Sequence, residues 1–241
     1  MTFVIGDIHG EITKLKNLID NIRRVDKEVV WIFVGDYINK GEDSKAVLNY
    51  LMKLENSIFL MGNHEYYFLQ YIQEGKFEKE VLKYGLKSTF EDFDMNLTTL
   101  EEKLYKPYRK FFDNLKFFYE TEKYFISHAG INLDYIKHDF NTLSAEKFFM
   151  FSRYDFFNYK NKIHDKVSIF GHTGFNYPYY DGYKIGIDTA AVYSKESRLT
   201  AFCLEEDFFI NNENEKLLLK DLKLDRTSWI NRMEPYRTEK K

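Results

Sequence analysis

The sequence predicts an α/β fold that carries a helical insertion, and two patterns support this prediction. Over the first 65 residues, short apolar runs alternate with segments whose apolar residues recur at helical spacing. From about residue 66 to residue 114 the helical spacing continues, and no strand-like run interrupts it. Apolar runs that alternate with amphipathic helices are typical of βαβ units built around a parallel sheet.

The N-terminal part of the chain has the pattern β-α-β-α-β. The strand-like runs are Phe3–Ile5, Val29–Val34 and Ser57–Met61. Between them, apolar residues recur at intervals of three and four and so share one face of each helix. These residues are Ile12, Leu15, Leu18, Ile19 and Ile22 in the first helix and Ala46, Val47, Tyr50, Leu51 and Leu54 in the second. We expect both helices to cover one face of the sheet.

Strand-like runs return after the insertion, at Phe117–Glu120, Tyr124–Ser127, Val167–Phe170, Lys184–Ile187 and Arg198–Leu204. The chain has only three prolines and no Ser/Gly-rich linker, so we expect residues 1–241 to form a single domain. Residues from about 211 to 241 form a predicted C-terminal extension. The apolar patch Leu217–Leu224 indicates a helix docked on the body, and Arg237–Lys241 a frayed tail.

Charge and composition limit the classes of function. A formal net charge of -3 gives no general attraction to nucleic acid or to an anionic membrane surface. No run approaches the roughly 20 apolar residues that a membrane helix needs. The single cysteine, Cys203, excludes an intrachain disulfide and lies in a strand-like run, where a packed thiol is expected. We therefore expect a cytoplasmic protein without nucleic-acid or membrane partners; its oligomeric state is left open.

Each of the first three strands ends in a glycine followed by side chains that bind metals. The turns are Gly6-Asp7-Ile8-His9-Gly10, Gly35-Asp36-Tyr37-Ile38-Asn39-Lys40-Gly41 and Gly62-Asn63-His64-Glu65. A single turn of this kind is unremarkable, because Asp, Asn and Gly are common turn residues. Three turns at corresponding places indicate one site, because ligands bind beyond the carboxyl ends of parallel strands.

Two later strand ends add a histidine each, in Ser127-His128-Ala129-Gly130 and Phe170-Gly171-His172-Thr173. Together with the earlier Asp and Asn side chains, they make a nitrogen and oxygen ligand set. Such a set suits Mn²⁺, Fe or Zn²⁺ and differs from a thiolate site. The sequence therefore predicts a metal centre built from five strand ends.

The order of the five motifs, with about 60 helical residues between His64 and His128, resembles the calcineurin-type metallophosphoesterases. The chain is most similar to the bacterial and phage Ser/Thr protein phosphatases of the phosphoprotein phosphatase family, with symmetrical dinucleoside tetraphosphatases as near relatives. The resemblance runs from about residue 3 to residue 205 and includes the segment Ile187–Tyr193. It implies a metallophosphoesterase four-layer α-β-β-α sandwich, with two mixed sheets face to face and the site at one edge.

The resemblance also implies two divalent metal ions, with Mn²⁺ as the first candidate and Fe or Zn²⁺ as alternatives. The implied ligands of one ion are Asp7, His9 and Asp36, and those of the other are Asp36, Asn63, His128 and His172. Asp36 would bridge the pair. Two cations roughly 3.5–4 Å apart acidify a bridging water, and the hydroxide attacks phosphorus in line.

Further roles follow from the same resemblance. His64 is the expected catalytic proton donor, with a hydrogen-bonding role outside the ligand set as the alternative. Asp36 and Asn39 complete the expected catalytic group, and Lys40, Asn63 and Arg153 would bind the substrate phosphate. Arg153 could instead form a surface ion pair. His138 and His164 match no motif, and we interpret both as solvated histidines.

Two positions depart from the family pattern, which usually has Asp-Arg where this chain has Asn39-Lys40. Neutral Asn39 can accept a hydrogen bond but gives no charge stabilisation, so we expect a less basic His64. Lys40 lacks the flat, two-pronged donor geometry of arginine. We therefore expect a weakened general acid that favours good leaving groups, such as aryl phosphates or phosphotyrosine. Ala190 stands where the family often has glycine.

The leading prediction is a phosphomonoesterase that acts on Ser/Thr or Tyr phosphoproteins or on small phosphate esters. The first alternative is hydrolysis of dinucleoside polyphosphates or another nucleotide, which the same centre could perform. The second is a catalytically weakened phosphate-binding module, which is disfavoured because six clustered ligands would be costly to maintain without metals. A nuclease is disfavoured because no basic stripe accompanies the site.

Overall fold

The computed structural model describes residues 1–74, 85, 87–93, 99, 101–133 and 149–222. The strands in these residues are β1 (Thr2–Ile5), β2 (Val30–Phe33), β3 (Ser57–Phe59), β4 (Phe118–Glu120), β5 (Tyr124–Ser127), β6 (Val167–Phe170), β7 (Tyr179–Tyr180), β8 (Lys184–Gly186), β9 (Thr200–Cys203), β10 (Phe208–Asn211) and β11 (Lys216–Leu218). The helices are α1 (Ile12–Val25), α2 (Ser44–Leu51), α3 (Asn63–Glu74), α4 (Lys87–Asp92), α5 (Lys106–Asp113) and α6 (Tyr154–Asn158). A π-helical turn covers Glu101–Tyr105, and a 3₁₀ turn covers Leu219–Asp221.

The strands form two mixed sheets. One has the order β11-β10-β9-β1-β2-β3, and the other has the order β4-β5-β6-β8-β7. In the first sheet β1, β2 and β3 are parallel, with Ile5 opposite Phe33 and Phe33 opposite Phe59, so their carboxyl ends lie level. In the second sheet β5, β6 and β8 are parallel. Each sheet therefore presents several strand ends at one edge.

The prediction that the first two helices cover one face of the sheet is confirmed. Apolar residues of α1 and α2 are buried in one cluster with Phe3, Ile5 and Phe33, which point to the same face of the first sheet. The helix α2 begins at an N-cap, Asp43, whose carboxylate accepts the N–H of Ala46 at 2.7 Å. This bond satisfies one of the free donors of the first turn.

The other face of the first sheet packs on the second sheet. Val4 and Ile32 of the first sheet share a buried cluster with Ile126, Ile169 and Ile185 of the second. Strands buried on both faces need continuous apolar runs, which explains why these segments do not alternate between polar and apolar residues.

The outer face of the second sheet carries an aromatic cluster that includes Phe125 and Phe170. Phe156 and Phe157 of α6 cover it. Helices therefore lie outside both sheets, and the predicted α/β class with two face-to-face sheets is confirmed. Most of the described residues of the predicted insertion are helical, as expected, and the remaining residues of the insertion lie outside the described ranges.

The C-terminal extension differs from the prediction. Residues of the apolar patch form β11, which pairs with β10 through Phe209 and Leu217, and then a 3₁₀ turn. Leu217 packs on the cluster between the sheets, and a short apolar run suits a strand edge as well as a helix. Residues 223–241, including the expected tail, lie outside the described residues. The single-domain organisation stays a prediction.

Among the helices of the described ranges, none is both long enough and apolar enough to cross a membrane.

Candidate active site

Strand ends of both sheets bring the five motifs together. Asp36 belongs to two groups of possible metal ligands, one with His9 and His64 and the other with His128 and His172. In each group the ligand atoms lie within 4.8 Å of one another. Two clusters that share a carboxylate match the arrangement expected of a two-metal centre.

Asp36 turns its two carboxylate oxygens to different partners. Its Oδ2 lies 3.3 Å from Nε2 of His9, and its Oδ1 lies 3.4 Å from Nε2 of His128. The residue is 2% exposed, so neither oxygen is available to bulk water. A buried carboxylate that faces two histidines on opposite sides can serve as a bridging ligand.

Asn63 lies between the two later histidines. Its Oδ1 is 3.0 Å from Nε2 of His128 and 2.8 Å from Nδ1 of His172. Because Asn63 is the first residue of α3, its side chain points from the helix start toward the ends of β5 and β6. These three side chains converge on one point, and their role as ligands of a second ion stays a prediction.

Asp7 lies beside the centre but outside the two compact groups. Its Oδ2 accepts the backbone N–H of His172 at 3.0 Å, while its buried Oδ1 has no hydrogen-bond partner among the described residues. Burial raises the pKa of Asp7 well above its usual range, and the carboxylates of Asp188 and Asp36 raise it further. A buried oxygen without a partner is costly, and a cation would satisfy it. The residues present therefore fit a metal ion.

The histidines are held in the form that binds metals. Nδ1 of His9 lies 3.1 Å from the carbonyl of Ile38, and Nδ1 of His128 lies 3.1 Å from the carbonyl of Val34. A carbonyl only accepts, so Nδ1–H donates and the lone pair of Nε2 faces the centre. Burial lowers the pKa of both side chains, which keeps them neutral as ligands must be.

Several of these residues adopt a left-handed backbone that is uncommon for residues other than glycine. The φ angle is 47° at His9, 53° at Asp36 and 63° at His172. Each such residue costs on the order of 1 kcal/mol or more and persists only where surrounding contacts hold it. Backbone bonds supply such contacts, because the N–H groups of Ile8 and His9 both donate to the carbonyl of Asp36.

Glu65 is a site residue to which the sequence assigned no role. Its buried carboxylate accepts the N–H of Asp36 at 2.8 Å, of Tyr37 at 2.9 Å and of Gly62 at 3.2 Å. Glu65 thereby links the turn that contains Asp36 to the first turn of α3. A glutamate in the first turn of a helix is also an ordinary electrostatic preference, so the sequence pattern alone carried no distinguishing signal.

The glycines at two strand ends are required by close contacts. A Cβ atom at Gly62 would lie 2.2 Å from Oδ1 of Asp36, and one at Gly171 would lie 2.0 Å from Oδ1 of Asp7. Real Cβ atoms do not approach so closely. These glycines let the backbone reach the carboxylates from behind, which leaves the opposite side of each for a ligand.

The two predicted phosphate-binding cations lie on opposite flanks of the centre. Nζ of Lys40 is 2.9 Å from Nε2 of His9, and Nε of Arg153 donates to Nε2 of His172 at 3.1 Å. Both cations thus adjoin residues of the centre, one in each group. Their contact with phosphate stays a prediction.

His64 and Asn39 form a buried pair. Nδ1 of His64 lies 2.9 Å from Nδ2 of Asn39, and its Nε2 lies 3.8 Å from Oδ2 of Asp36. Burial lowers the pKa of His64 well below its usual value. His164 lies at the surface, 3.5 Å from a carboxylate oxygen of Glu120, and His138 lies outside the described residues.

Asp188 is the second residue that the sequence left without a role. It lies in the segment Ile187–Tyr193, is 7% exposed and raises the pKa of Asp7 through its charge. Burial raises the pKa of Asp188 itself to about 6. Its Oδ1 accepts the N–H of Ala190 at 2.8 Å, so it also shapes the turn beside the centre.

The chain is similar to known proteins at the levels of family, sequence and structure. A family model described as calcineurin-like phosphoesterase matches residues 2–223. The symmetrical bis(5'-nucleosyl)-tetraphosphatase of Wigglesworthia glossinidia brevipalpis is 42% identical over 65 residues, which cover 26% of this chain and 24% of that protein. The enzyme of the same description from Coxiella burnetii (strain Dugway 5J108-111) is 35% identical over 68 residues, 28% of this chain and 23% of that protein. The match thus spans about a quarter of the length of these relatives.

Solved structures are similar over a larger part of the chain but at low identity. A structure described as a putative diadenosine tetraphosphatase has a TM-score of 0.62 at 19% identity, covering 87% of this chain and 91% of that one. The cold-active protein-tyrosine phosphatase of a psychrophile, Shewanella sp., has a TM-score of 0.66 at 13% identity, covering 90% and 80%. At such identities the likeness concerns the fold alone.

Proposed function

Because the chain belongs to the calcineurin-like phosphoesterase family, we propose that it hydrolyses phosphomonoesters with a water activated by two divalent metal ions. The observation that carries this proposal is the position of Asp36, whose Oδ2 lies 3.3 Å from Nε2 of His9 and whose Oδ1 lies 3.4 Å from Nε2 of His128. The donor set of carboxylate, imidazole and amide groups suits Mn²⁺, which we propose as the metal, with Fe and Zn²⁺ as alternatives.

The proposed ligands are Asp7, His9 and Asp36 for one ion and Asp36, Asn63, His128 and His172 for the other. When bound, the two ions would supply a hydroxide nucleophile and neutralise charge on the phosphate. The backbone carbonyls behind His9 and His128 fix the tautomer and the orientation of both rings for this role. Burial lowers the pKa of both rings and so keeps them neutral.

Lys40 and Arg153 would hold the phosphate from two sides. Each contacts a histidine nitrogen of the centre. An anionic phosphate oxygen is a stronger acceptor for such a cation than a neutral imidazole nitrogen. Arg153 can present two parallel donors to a phosphate, whereas Lys40 provides a point charge. We therefore expect Arg153 to determine the orientation of the phosphate and Lys40 mainly its affinity.

His64 would assist departure of the leaving oxygen, with Asn39 behind it. An amide cannot stabilise a protonated imidazole as a carboxylate does, so this assistance is weaker than an Asp–His pair would give. Aryl esters leave without much help. We therefore propose aryl phosphates, phosphotyrosine included, as better substrates than alkyl phosphates.

Hydrolysis of dinucleoside polyphosphates is the alternative function, and the names of the relatives from Wigglesworthia and Coxiella favour it.

A cytoplasmic location is proposed as well, since the cysteine Cys203 is buried and free, as in proteins of reducing compartments.

The test is a substrate panel with Mn²⁺, Fe²⁺ or Zn²⁺: p-nitrophenyl phosphate, phosphotyrosine and phosphoserine peptides, and diadenosine tetraphosphate. We expect metal-dependent release of phosphate from the monoesters, its loss in Asp36→Asn and its retention in the exposed control Asp20→Asn. Cleavage of the dinucleotide alone would establish the alternative. Protein shown to hold two metals but unable to hydrolyse any of them would be a phosphate-binding module.

A further inference from the structure

The short helix α4 places a buried hydroxyl against the second motif. Thr89 is fully buried, and its Oγ1 donates to Oδ1 of Asn39 at 2.6 Å while accepting the backbone N–H of Asn39 at 2.9 Å. Ser44, also buried, has its Oγ 3.1 Å from Oγ1 of Thr89 and 3.2 Å from the same N–H. Three polar side chains therefore form a closed network behind His64.

The length of one contact indicates how the amide of Asn39 is turned. The 2.6 Å between Oγ1 of Thr89 and the Asn39 amide suits an O–H···O bond, in which the Thr89 hydroxyl donates to Oδ1. With the amide reversed, Nδ2 would have to donate to Oγ1 of Thr89, and N–H···O bonds are longer, at about 2.7–3.2 Å. The Ser44 hydroxyl does not compete for this oxygen, because it has the carboxylate of Asp92 as an acceptor.

The orientation of Asn39 determines which nitrogen of His64 carries the proton. Nδ2 of Asn39 can only donate, so Nδ1 of His64, at 2.9 Å, must accept. The proton of the neutral ring is then on Nε2, the nitrogen that faces the centre 3.8 Å from Oδ2 of Asp36. A protonated Nε2 has no lone pair for a metal, so His64 is a hydrogen-bond donor and not a ligand.

We propose that Thr89 is a positioning residue, whose hydroxyl turns the amide of Asn39 so that neutral His64 presents an Nε2–H donor to the leaving oxygen of the substrate. The role of His64 toward the leaving oxygen rests on the proposed hydrolytic function. The position of the proton on the His64 ring does not depend on that function.

Other contacts hold α4 in place independently of Thr89. The carboxylate of Asp92 accepts the N–H of Ser44 at 2.6 Å, at the start of α2. The carbonyl of Gly85 accepts the N–H of Lys40 at 3.1 Å. Removal of the Thr89 hydroxyl should therefore release the amide of Asn39 without displacing the helix.

The first test measures the protonation of the His64 nitrogens by ¹H–¹⁵N NMR of the full chain, metal-free and loaded with diamagnetic Zn²⁺. At a pH of about 8, above the ordinary histidine pKa of about 6.5, the rings are neutral. Loss of one signal set in His64→Gln assigns His64. We expect the Nε2–H form in the wild type and in Thr89→Ser, and a mixture of both forms in Thr89→Val.

Thr200→Val is the matched control, because it removes a buried threonine hydroxyl that bonds Thr189 at 2.7 Å, outside this network. It should leave the His64 signals unchanged. A proton on Nδ1 of His64 in the wild type would overturn the proposal, whether or not any variant folds. A pure Nε2–H form in Thr89→Val would overturn it as well.

The second test compares turnover of an alkyl phosphate and an aryl phosphate. In Thr89→Val we expect kcat for the alkyl ester to fall about tenfold more than kcat for the aryl ester, a part of the 10²–10⁴-fold that proton donation contributes. KM should change little, and Thr89→Ser should restore the wild-type ratio. An unchanged ratio in a folded Thr89→Val would contradict the role toward substrate. Absence of all hydrolysis in the wild type would refute the proposed function and leave the NMR result to decide on Thr89.

Discussion

Single residues show where this chain accepts unfavourable local conformations. Ala190 has a φ of 59°, in the left-handed region that glycine adopts without penalty. Alanine at this position therefore has a physical cost. For an L-residue that cost is about 1–2 kcal/mol, offset in part by the greater entropy that glycine loses on folding.

The variant Ala190→Gly should therefore raise the free energy of unfolding by about 0.5–1 kcal/mol. Chemical denaturation measures this difference. The same substitution in a helix, Ala46→Gly in α2, serves as the control and should lower stability by about 0.5–1 kcal/mol. A destabilised Ala190→Gly would show that the methyl group contributes packing that outweighs the backbone strain.

Asn39 offers a second prediction at this scale. In Asn39→Asp the carboxylate would still accept from Thr89 and would favour the protonated form of His64, whose pKa should rise. Turnover of an alkyl phosphate should then increase more than turnover of an aryl phosphate, because only the poor leaving group needs the proton. Parallel measurements of kcat for the two esters decide it, and equal changes would contradict the assignment of His64 as proton donor.

Secondary-structure elements were predictable where both faces of a strand are buried. The runs that became β1, β2, β5 and β6 are continuous and apolar, so no alternative was competitive. In contrast β7 has only two residues, and β10 follows an acidic turn that resembles a surface loop. The hairpin partner β11 was predicted as a helix, because its pairing with β10 depends on tertiary contacts.

The residues of the candidate site were likewise predictable where the signal is local in sequence. Asp7, Asp36, Asn63 and His172 were predictable because each directly follows a glycine at a strand end, and His128 because it follows the apolar run of β5. The roles of Glu65 and Thr89 depend on partners 29 and 50 residues away, and no local pattern encodes such contacts.

The hairpin of β7 and β8 contains a buried ion pair that can be tested. The Lys184 side chain is 1% exposed, and its Nζ lies 2.9 Å from Oδ2 of Asp181, which also accepts from Lys160 at 3.0 Å. The two cations and two backbone N–H donors hold the pKa of Asp181 below its usual value despite burial.

Asp181→Asn should lower the free energy of unfolding by about 3–5 kcal/mol, because Lys184 would remain buried without a countercharge. Thermal and urea unfolding measure the loss. Asp165→Asn, the same substitution in an exposed turn, should change stability by less than about 0.5 kcal/mol. Equal stability of the two variants would contradict this prediction, because it would mean that water solvates Lys184 when the Asp181 carboxylate is absent.

At the scale of the whole molecule, the candidate centre joins the two sheets. His128 of the second sheet contacts the carbonyl of Val34 in the first, and the N–H of His172 contacts Asp7 across 165 residues of chain. Metal binding should therefore stabilise the entire fold. Removal of the metal by a chelator should lower the melting temperature, and the size of this decrease should depend on pH.

The pH dependence of the metal-free protein follows from Glu65. Burial and the charge of Asp36 raise the pKa of Glu65 to about 8, although three backbone N–H donors oppose the shift. The folded state therefore binds a proton that the unfolded state, with an ordinary pKa of about 4.3, has already lost. Stability is lost as pH rises toward the folded pKa, by up to about 1.4 kcal/mol between pH 7 and 8.

Urea unfolding of the chelated protein at several pH values measures this slope. The neutral variant Glu65→Gln should remove it above pH 7, whereas the exposed control Glu101→Gln should keep it. Added metal should flatten the slope, because cations beside Asp36 offset its charge. A metal-free protein whose stability increases from pH 7 to 8 would contradict a proton on Glu65.

The place of β1 within its sheet has a consequence for biosynthesis. Although β1 is translated before the other strands of its sheet, it pairs with β9 as well as with β2, so its edge stays open until residue 203 has been translated. The histidines that complete the centre also come late, at positions 128 and 172. A nascent chain thus holds Asp7 and Asp36 without their partners until residues 128 and 172 have been translated, and we expect metal capture only after that point.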